Sequence, residues 1–377
     1  MRPPAGVDFQ IAPFLVIWET TQACDLACSH CRASAQPNRN PGELTTAEGE
    51  RLLADTAAMG TPVFILSGGD PVKRPDLCRL IQRGKQLGLR MGTIPAATNA
   101  LTEDLVARLK EAGLDQMALS LDFPRAELHD AFRGVPGAFA KTMAAIEWAH
   151  RYELPLQINT TLCGRSAPFL AEMADLVSRL GIVFWEVFFL VPVGRGTALG
   201  GLTPEQCEEL FAILYRVQKQ SQFIVKVTEA PHYRRYVAQQ EAEAQGCPPR
   251  GHGNGGVMPQ LLTRSEGPGH TVGLAPRGVN AGNGFAFVSH TGDVFPSGFL
   301  PLYAGNVRSL SLPEIYRNSP LFRVLRDPDA LRGRCGRCEY RRICGGSRSR
   351  AYALTSSYLA TDPWCGYQPA RQGAAAA

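Results

Sequence analysis

The chain has 377 residues, 45% of them hydrophobic, and a formal charge of +5. That length buries a large core in one or two domains, and with a mild charge and no Lys/Arg run that stands out, nucleic acid is not the expected partner. No apolar stretch is long enough to span a bilayer, and Met1-Arg-Pro-Pro-Ala-Gly6 lacks the apolar centre of a signal peptide, so a cytoplasmic chain with no membrane partner is expected.

Phe14–Trp18 is a short apolar run that reads as a buried strand. A loop with the spacing Cys24-x3-Cys28-x2-Cys31 follows it directly. Leu44-Thr-Thr-Ala-Glu48 opens a helix with a Thr cap and an early acid. Pro62–Leu66 is the second strand, and Pro75 starts the next helix. Arg90–Ile94 is the third strand, and a capped helix runs from Thr102 to a stop at Gly113. Gln116–Leu121 is the fourth strand, followed by a helix over about Gly137–His150. Leu156–Thr160 is the fifth, a helix covers about Pro168–Leu180, and Val183–Leu190 is the sixth. Thr203-Pro-Glu-Gln206 caps a further helix. Strands alternating with helices imply a parallel sheet with right-handed crossovers. Composition changes after about Ala230, and 246–284 is rich in Gly and Pro. Phe285–Val288 and Val294–Phe295 flank His290-Thr-Gly-Asp293, which reads as a hairpin turn. The Ala374–Ala377 run reads as a disordered tail.

The chain has eleven cysteines. Without a signal peptide their thiols stay reduced, and clustered thiols in such a chain bind metal. Cys78, Cys163 and Cys207 read as small packed hydrophobes, and Cys247 lies in a Gly-Cys-Pro-Pro loop. Cys24, Cys28 and Cys31 offer three thiolates to a cluster that takes four ligands, which leaves one iron open. Zinc is the alternative, with His30 as a nearby fourth ligand. Cys335-x2-Cys338-x5-Cys344, with Cys365 further on, offers four thiolates, enough to ligate a cluster completely or to hold zinc.

The first cysteine spacing, with Ser67-Gly68-Gly69-Asp70-Pro71 after the second strand, resembles the radical S-adenosylmethionine (radical SAM) superfamily. The resemblance implies an α/β fold, a partial (β/α)6 TIM-like barrel, with SAM on the open iron of a [4Fe–4S] cluster. It places SAM contacts at Gly68, Gly69, Asp70, Thr98, Asn99, Ser120, Arg133 and Asn159. Asp70 stands where the family pattern has Glu. The second cysteine set, with Gly292–Ser297 and Gly305-Asn-Val307, resembles the C-terminal SPASM module, which carries auxiliary clusters. Ser297 and Arg348 stand where a full module has cysteines, so the resemblance implies one auxiliary [4Fe–4S] cluster on Cys335, Cys338, Cys344 and Cys365.

The implied organisation is a radical SAM core over 1–228, a connector over 229–284, a SPASM-like domain over 285–370 and a tail over 371–377. Cys24–Cys31 with His30, Glu229-Ala-Pro-His-Tyr-Arg-Arg235, Gly305–Arg308 and Cys335–Gly346 resemble the branch that modifies tetrapyrrole propionates in heme and denitrifier-heme biosynthesis. His232, Tyr233, Arg234 and Arg235 are then candidates to meet a carboxylated substrate, and a solvated basic helix start is the alternative for them. The implied activity is reductive cleavage of SAM to a 5′-deoxyadenosyl radical and hydrogen abstraction from the substrate, with reduced flavodoxin or ferredoxin as electron donor. Modification of a ribosomal peptide is a second reading. A non-catalytic iron–sulfur carrier or sensor is a third.

Overall fold

The computed structural model describes residues 7–246 and 278–369. One ten-stranded sheet organises them. β1 (Leu15–Glu19), β2 (Val63–Ser67), β3 (Arg90–Thr93), β4 (Gln116–Ser120), β5 (Leu156–Leu162), β6 (Phe184–Phe189) and β7 (Ile224–Thr228) lie side by side in chain order, all parallel. The helices that return the chain are α1 (Thr46–Ala58), α2 (Leu77–Gln86), α3 (Glu103–Glu111), α4 (Ala126–Arg133), α5 (Ala138–Arg151), α6 (Leu170–Ser178) and α7 (Pro204–Gln220). The fold class is the α/β class expected, with one parallel strand more than the pattern counted. β7 is the sheet's last strand and buries only Val225 among its five residues. Its β-branched run, Ile224-Val-Lys-Val-Thr228, carries an ordinary strand signal that the six-strand count leaves out.

Local chemistry sets the helix ends. Thr45 and Glu48 form a capping box at α1, Thr203 and Gln206 form another at α7, and Thr102 caps α3. Each such cap contributes about 0.5–2 kcal/mol. Gly113 leaves α3 at φ +90°, a conformation that suits glycine. The core runs continuously between sheet and helices, with Val16, Trp18, Phe64, Leu119 and Ile158 fully enclosed. Gly49 lets α1 approach the sheet, since a Cβ there would lie 2.6 Å from the Trp18 ring.

The C-terminal segment extends the same sheet. β8 (Phe285–Val288) pairs parallel with β1, in register from Leu15↔Phe285. β9 (Asp293–Phe295) and β10 (Gly305–Asn306) continue it antiparallel. The expected hairpin is present, turning through Gly292 at φ +88°. The span read as a connector needs correction. Residues 232–244 of it form α8 (His232–Ala244), which buries His232, Tyr233, Arg235 and Val237. The polar sequence of that helix hides the burial, because its contacts come from α7 and the C-terminal segment. Cys247, residues 247–277 and the tail over 371–377 lie outside the described residues. Among the described residues no helix is long and apolar enough to cross a membrane.

Phe64 is the second residue of β2 and is fully buried. Phe64→Ala is expected to lower unfolding free energy by about 3–5 kcal/mol, read by chemical denaturation.

Candidate iron–sulfur and substrate site

The loop after β1 has no regular structure of its own, and its neighbours hold it. Backbone N–H groups of Ala27 and Ser29 donate to the carbonyls of Arg133 and Phe132 at the end of α4 (3.1 and 2.9 Å). Arg195, beyond β6, donates from its backbone to the Cys31 carbonyl (3.0 Å) and from Nε to the Cys28 carbonyl (2.8 Å). The loop after β2 lies flat against it. Gly69 and Asp70 N–H groups donate to Thr21 and Ala23 carbonyls, both at 2.7 Å. A Cβ on Gly68 would come 2.6 Å from the Thr21 oxygen, and one on Gly69 2.5 Å from the Ala23 oxygen. The glycine pair is therefore required by the cysteine loop itself. His30 stacks on Phe132 at 4.5 Å between centroids, and burial holds its pKa down at about 4. It serves as a neutral ring.

Cys24, Cys28 and Cys31 line one cavity of about 360 Å³ at the C-terminal ends of the strands. Each sulfur accepts one N–H: Leu26 N at Cys24 (3.3 Å), Arg133 Nη1 at Cys28 (3.7 Å) and Ala35 N at Cys31 (3.4 Å). Donors aimed at sulfur favour a ligating thiolate over a thiol. Burial pushes the free Cys24 thiol up to about 12, so binding a cation there must displace a proton. The donor set fits an iron–sulfur cluster held by three thiolates.

Of the residues expected at SAM, Gly68, Gly69, Ser120, Arg133 and Asn159 line this cavity. Asp70 does not. Its carboxylate is fully enclosed and accepts from Val72 N (3.3 Å), Ala96 N (3.1 Å) and Thr98 Oγ1 (3.1 Å). Asp70 and Thr98 thus brace the loop after β3 from behind. Burial raises the Asp70 pKa to about 6. Asn99 is exposed and lies outside the cavity lining. Arg133 is nearly buried and pairs with Asp122 at 2.5 Å.

Asn159 belongs to a polar row that the strand pattern conceals. Ser120, Asn159, Glu186 and Lys226 occupy matched register positions on β4–β7. Gln157 donates to Asn159 (2.6 Å) and to Glu186 (2.8 Å), and Glu186 also holds Thr228 (2.6 Å) and Lys226 (2.8 Å). All face the cavity. Polar residues inside otherwise apolar strands were the available signal. Glu229 was also missed. It follows β7 at φ +58°, lines the cavity, and accepts from Ser347 (2.5 Å), Ser349 (3.0 Å) and Ser297 (3.3 Å). Its burial raises its pKa.

The four substrate candidates diverge, because successive residues on a helix point about 100° apart. Only Arg234 lines the cavity, with its guanidinium tied to Val279 O (2.6 Å), Ile343 O (3.1 Å) and Asn280 Oδ1 (3.1 Å). His232 is fully buried 4.8 Å from the Phe211 ring, with Nδ1 3.7 Å from Asp362. Tyr233 donates to Gln218 (2.8 Å), and Arg235 pairs with Glu208 over the Tyr367 ring. The solvated alternative also fails, since His232, Tyr233 and Arg235 are all buried.

Cys335, Cys338, Cys344 and Cys365 line a separate small cavity. Each again has a donor: Arg348 Nη2 at Cys335 (3.6 Å), Gly346 N at Cys344 (3.4 Å), and the backbones of Tyr340 at Cys338 and Tyr367 at Cys365. Four thiols with four donors, Cys335 and Cys344 buried and Cys338 and Cys365 half-buried, fit a fully ligated cluster. Among the described residues, no three Cys, His, Asp or Glu side chains converge as ligands of a single ion.

Residues 18–167 match the model of the radical SAM superfamily. The chain is 40% identical over 363 residues to an AdoMet-dependent heme synthase of Methanosarcina barkeri, covering 96% of this chain and 98% of that one. It is 29% identical to a pre-heme d1 synthase of Dinoroseobacter shibae, covering 96% and 88%. The fold matches Streptococcus suis SuiB bound to S-adenosylmethionine with a TM-score of 0.68 at 15% identity, covering 95% and 78%.

Two predictions follow from this geometry. Gly69→Ala is expected to push the cysteine loop off the β2 loop and abolish iron retention, read as iron per chain after anaerobic reconstitution. The second concerns acid stability. Burial lowers the pKa of His232 from its ordinary 6.5 to about 3. The unfolded chain therefore takes up a proton below 6.5 that the folded chain refuses, and stability falls with pH until about 3. His232→Phe should flatten that slope, measured as unfolding free energy against pH.

Proposed function

The chain belongs to the radical SAM superfamily, in the family that holds the AdoMet-dependent heme synthases, and on that footing we propose that it decarboxylates propionate side chains of a tetrapyrrole. The observation that carries this reading is the 40% identity that spans almost the full length of a heme synthase. Family membership makes the chain an enzyme, and the reading as a passive iron–sulfur carrier falls with it.

When bound, SAM and a [4Fe–4S] cluster supply this site with a 5′-deoxyadenosyl radical, formed by one-electron cleavage of the sulfonium bond. Cys24, Cys28 and Cys31 would hold that cluster, and Gly68, Gly69, Ser120, Arg133 and Asn159 would contact SAM. Asp70 and Thr98 act one layer back by fixing the loop after β3. Arg234 and Arg195 place cations on the cavity wall, and cations suit the carboxylates of such a substrate. The apolar part of the wall, with Phe188, Phe287 and Phe299, suits a flat macrocycle and excludes water.

The overall change balances simply. The propionate loses a hydrogen atom from the carbon next to the ring, the bond to its carboxyl carbon breaks, CO2 leaves, and a vinyl group remains. One electron must also leave. Cys335, Cys338, Cys344 and Cys365 would hold a second [4Fe–4S] cluster, which supplies one-electron acceptor chemistry. The enzyme would work in the cytoplasm with reduced flavodoxin or ferredoxin as donor.

Anaerobic incubation of the reduced, reconstituted chain with SAM and an iron porphyrin carrying propionates at the vinyl positions of heme tests the reading. Mass spectrometry should show loss of CO2 and two hydrogens per side chain, with matching deoxyadenosine. An unchanged porphyrin, with a ribosomal peptide modified in its place, would favour the peptide reading. Cys338→Ala with Cys344→Ala should leave SAM cleavage intact and abolish porphyrin turnover.

A further inference from the structure

Each cysteine set contains one sulfur whose donor is an arginine side chain. In the first set it is Arg133 on Cys28, and in the second it is Arg348 on Cys335. The two arginines differ in one respect. Arg133 brings its own countercharge, the Asp122 carboxylate at 2.5 Å. Arg348 has none. Its Nε donates to Gly346 O (3.2 Å) and its Nη1 to Tyr358 O (2.8 Å) and Ala360 O (2.7 Å). Among the described residues it forms no ion pair, although it is only 4% exposed.

A buried guanidinium without a carboxylate is expensive unless another anion neutralises it. The group in contact with it that can carry a countercharge is the Cys335 sulfur, once that sulfur is a ligating thiolate. The backbone is shaped around this contact. Gly346 adopts φ +63°, and a Cβ there would lie 2.6 Å from Arg348 Nη2 and 3.3 Å from Cys335 Sγ. Any side chain at 346 would force the guanidinium and the sulfur apart. Arg348 also lines the large cavity, so it stands between the substrate space and the second thiol set.

Hydrogen bonds and positive charge at cluster sulfurs stabilise the reduced cluster, which carries one more negative charge. At the first set the Arg133 charge is largely cancelled by Asp122. At the second the Arg348 charge is not cancelled. We propose that Arg348 is a positioning and tuning residue that raises the reduction potential of the cluster on Cys335, Cys338, Cys344 and Cys365 above that of the cluster on Cys24, Cys28 and Cys31. The inference rests on the reading of the second set as cluster ligands. It would give the two thiol sets opposite tasks: Cys24, Cys28 and Cys31 would hold a cluster poised at low potential for SAM cleavage, and Cys335, Cys338, Cys344 and Cys365 one able to accept the electron that decarboxylation releases.

The test uses the full chain with Cys24, Cys28 and Cys31 changed to Ala, so that the second cluster alone remains. Its midpoint potential is measured by anaerobic redox titration followed by electron paramagnetic resonance, with Arg348 intact and in Arg348→Lys and Arg348→Gln. The midpoint should fall in Arg348→Gln and fall less in Arg348→Lys, with iron content preserved. An unchanged midpoint in Arg348→Gln overturns the inference. Loss of iron from both Arg348 variants also overturns it, since the arginine would then be a structural prop. Absence of iron from the triple cysteine variant with Arg348 intact would remove the cluster reading itself.

Discussion

The contact between two loops, residues 21–23 after β1 and residues 68–70 after β2, is the constraint on which the rest of the site depends. Neither loop has regular structure, and each takes its shape from the other through paired N–H···O=C bonds at 2.7 Å. The glycines are there because any side chain would meet a carbonyl oxygen at about 2.5 Å. This contact sets the height of Cys24 above the sheet. Arg133 and Phe132 at the end of α4, and Arg195 after β6, then hold the remainder of the cysteine loop from the opposite side. Three thiols can be held without a strand or helix of their own because the loop's backbone is bonded to three other crossovers.

Around that fixed loop the cavity divides by polarity. The cysteine side is ordered by N–H donors, one per sulfur. The strands opposite present a connected row from Gln157 through Glu186 to Lys226. Connected rows of this kind are rigid, because each buried polar group already has its partner. Glu229 joins the barrel to the C-terminal segment, accepting three serine hydroxyls from beyond residue 296. Its left-handed backbone turns the chain from β7 into α8. Strain at a buried carboxylate is tolerated where surrounding bonds over-determine it.

The C-terminal segment is part of the same sheet. β8 pairs with β1 along four register positions, so the second thiol set is anchored to the strand that leads into the first. The buried Arg350–Asp362 pair (2.8 Å), stacked on Trp364, fixes the chain between Cys344 and Cys365. Both cysteine sets are thereby referred to one rigid element.

Much of this was legible residue by residue. The spacing of Cys24, Cys28 and Cys31, the Gly68-Gly69 pair and the four later thiols marked both metal sets, because ligand spacing is local. The caps at Thr45, Thr102 and Thr203 and the Gly292 turn were likewise written in short stretches of chain. Tertiary structure decided what depends on direction and partner. It turned three of the four residues His232–Arg235 away from the cavity, moved Asp70 and Thr98 behind it, and left Asn99 in solvent. It also assembled the polar row and the Glu229 cradle from strands and loops far apart in sequence. The physical reason is the same throughout: a motif specifies which atoms are offered, while packing against distant elements decides where they point and what neutralises them.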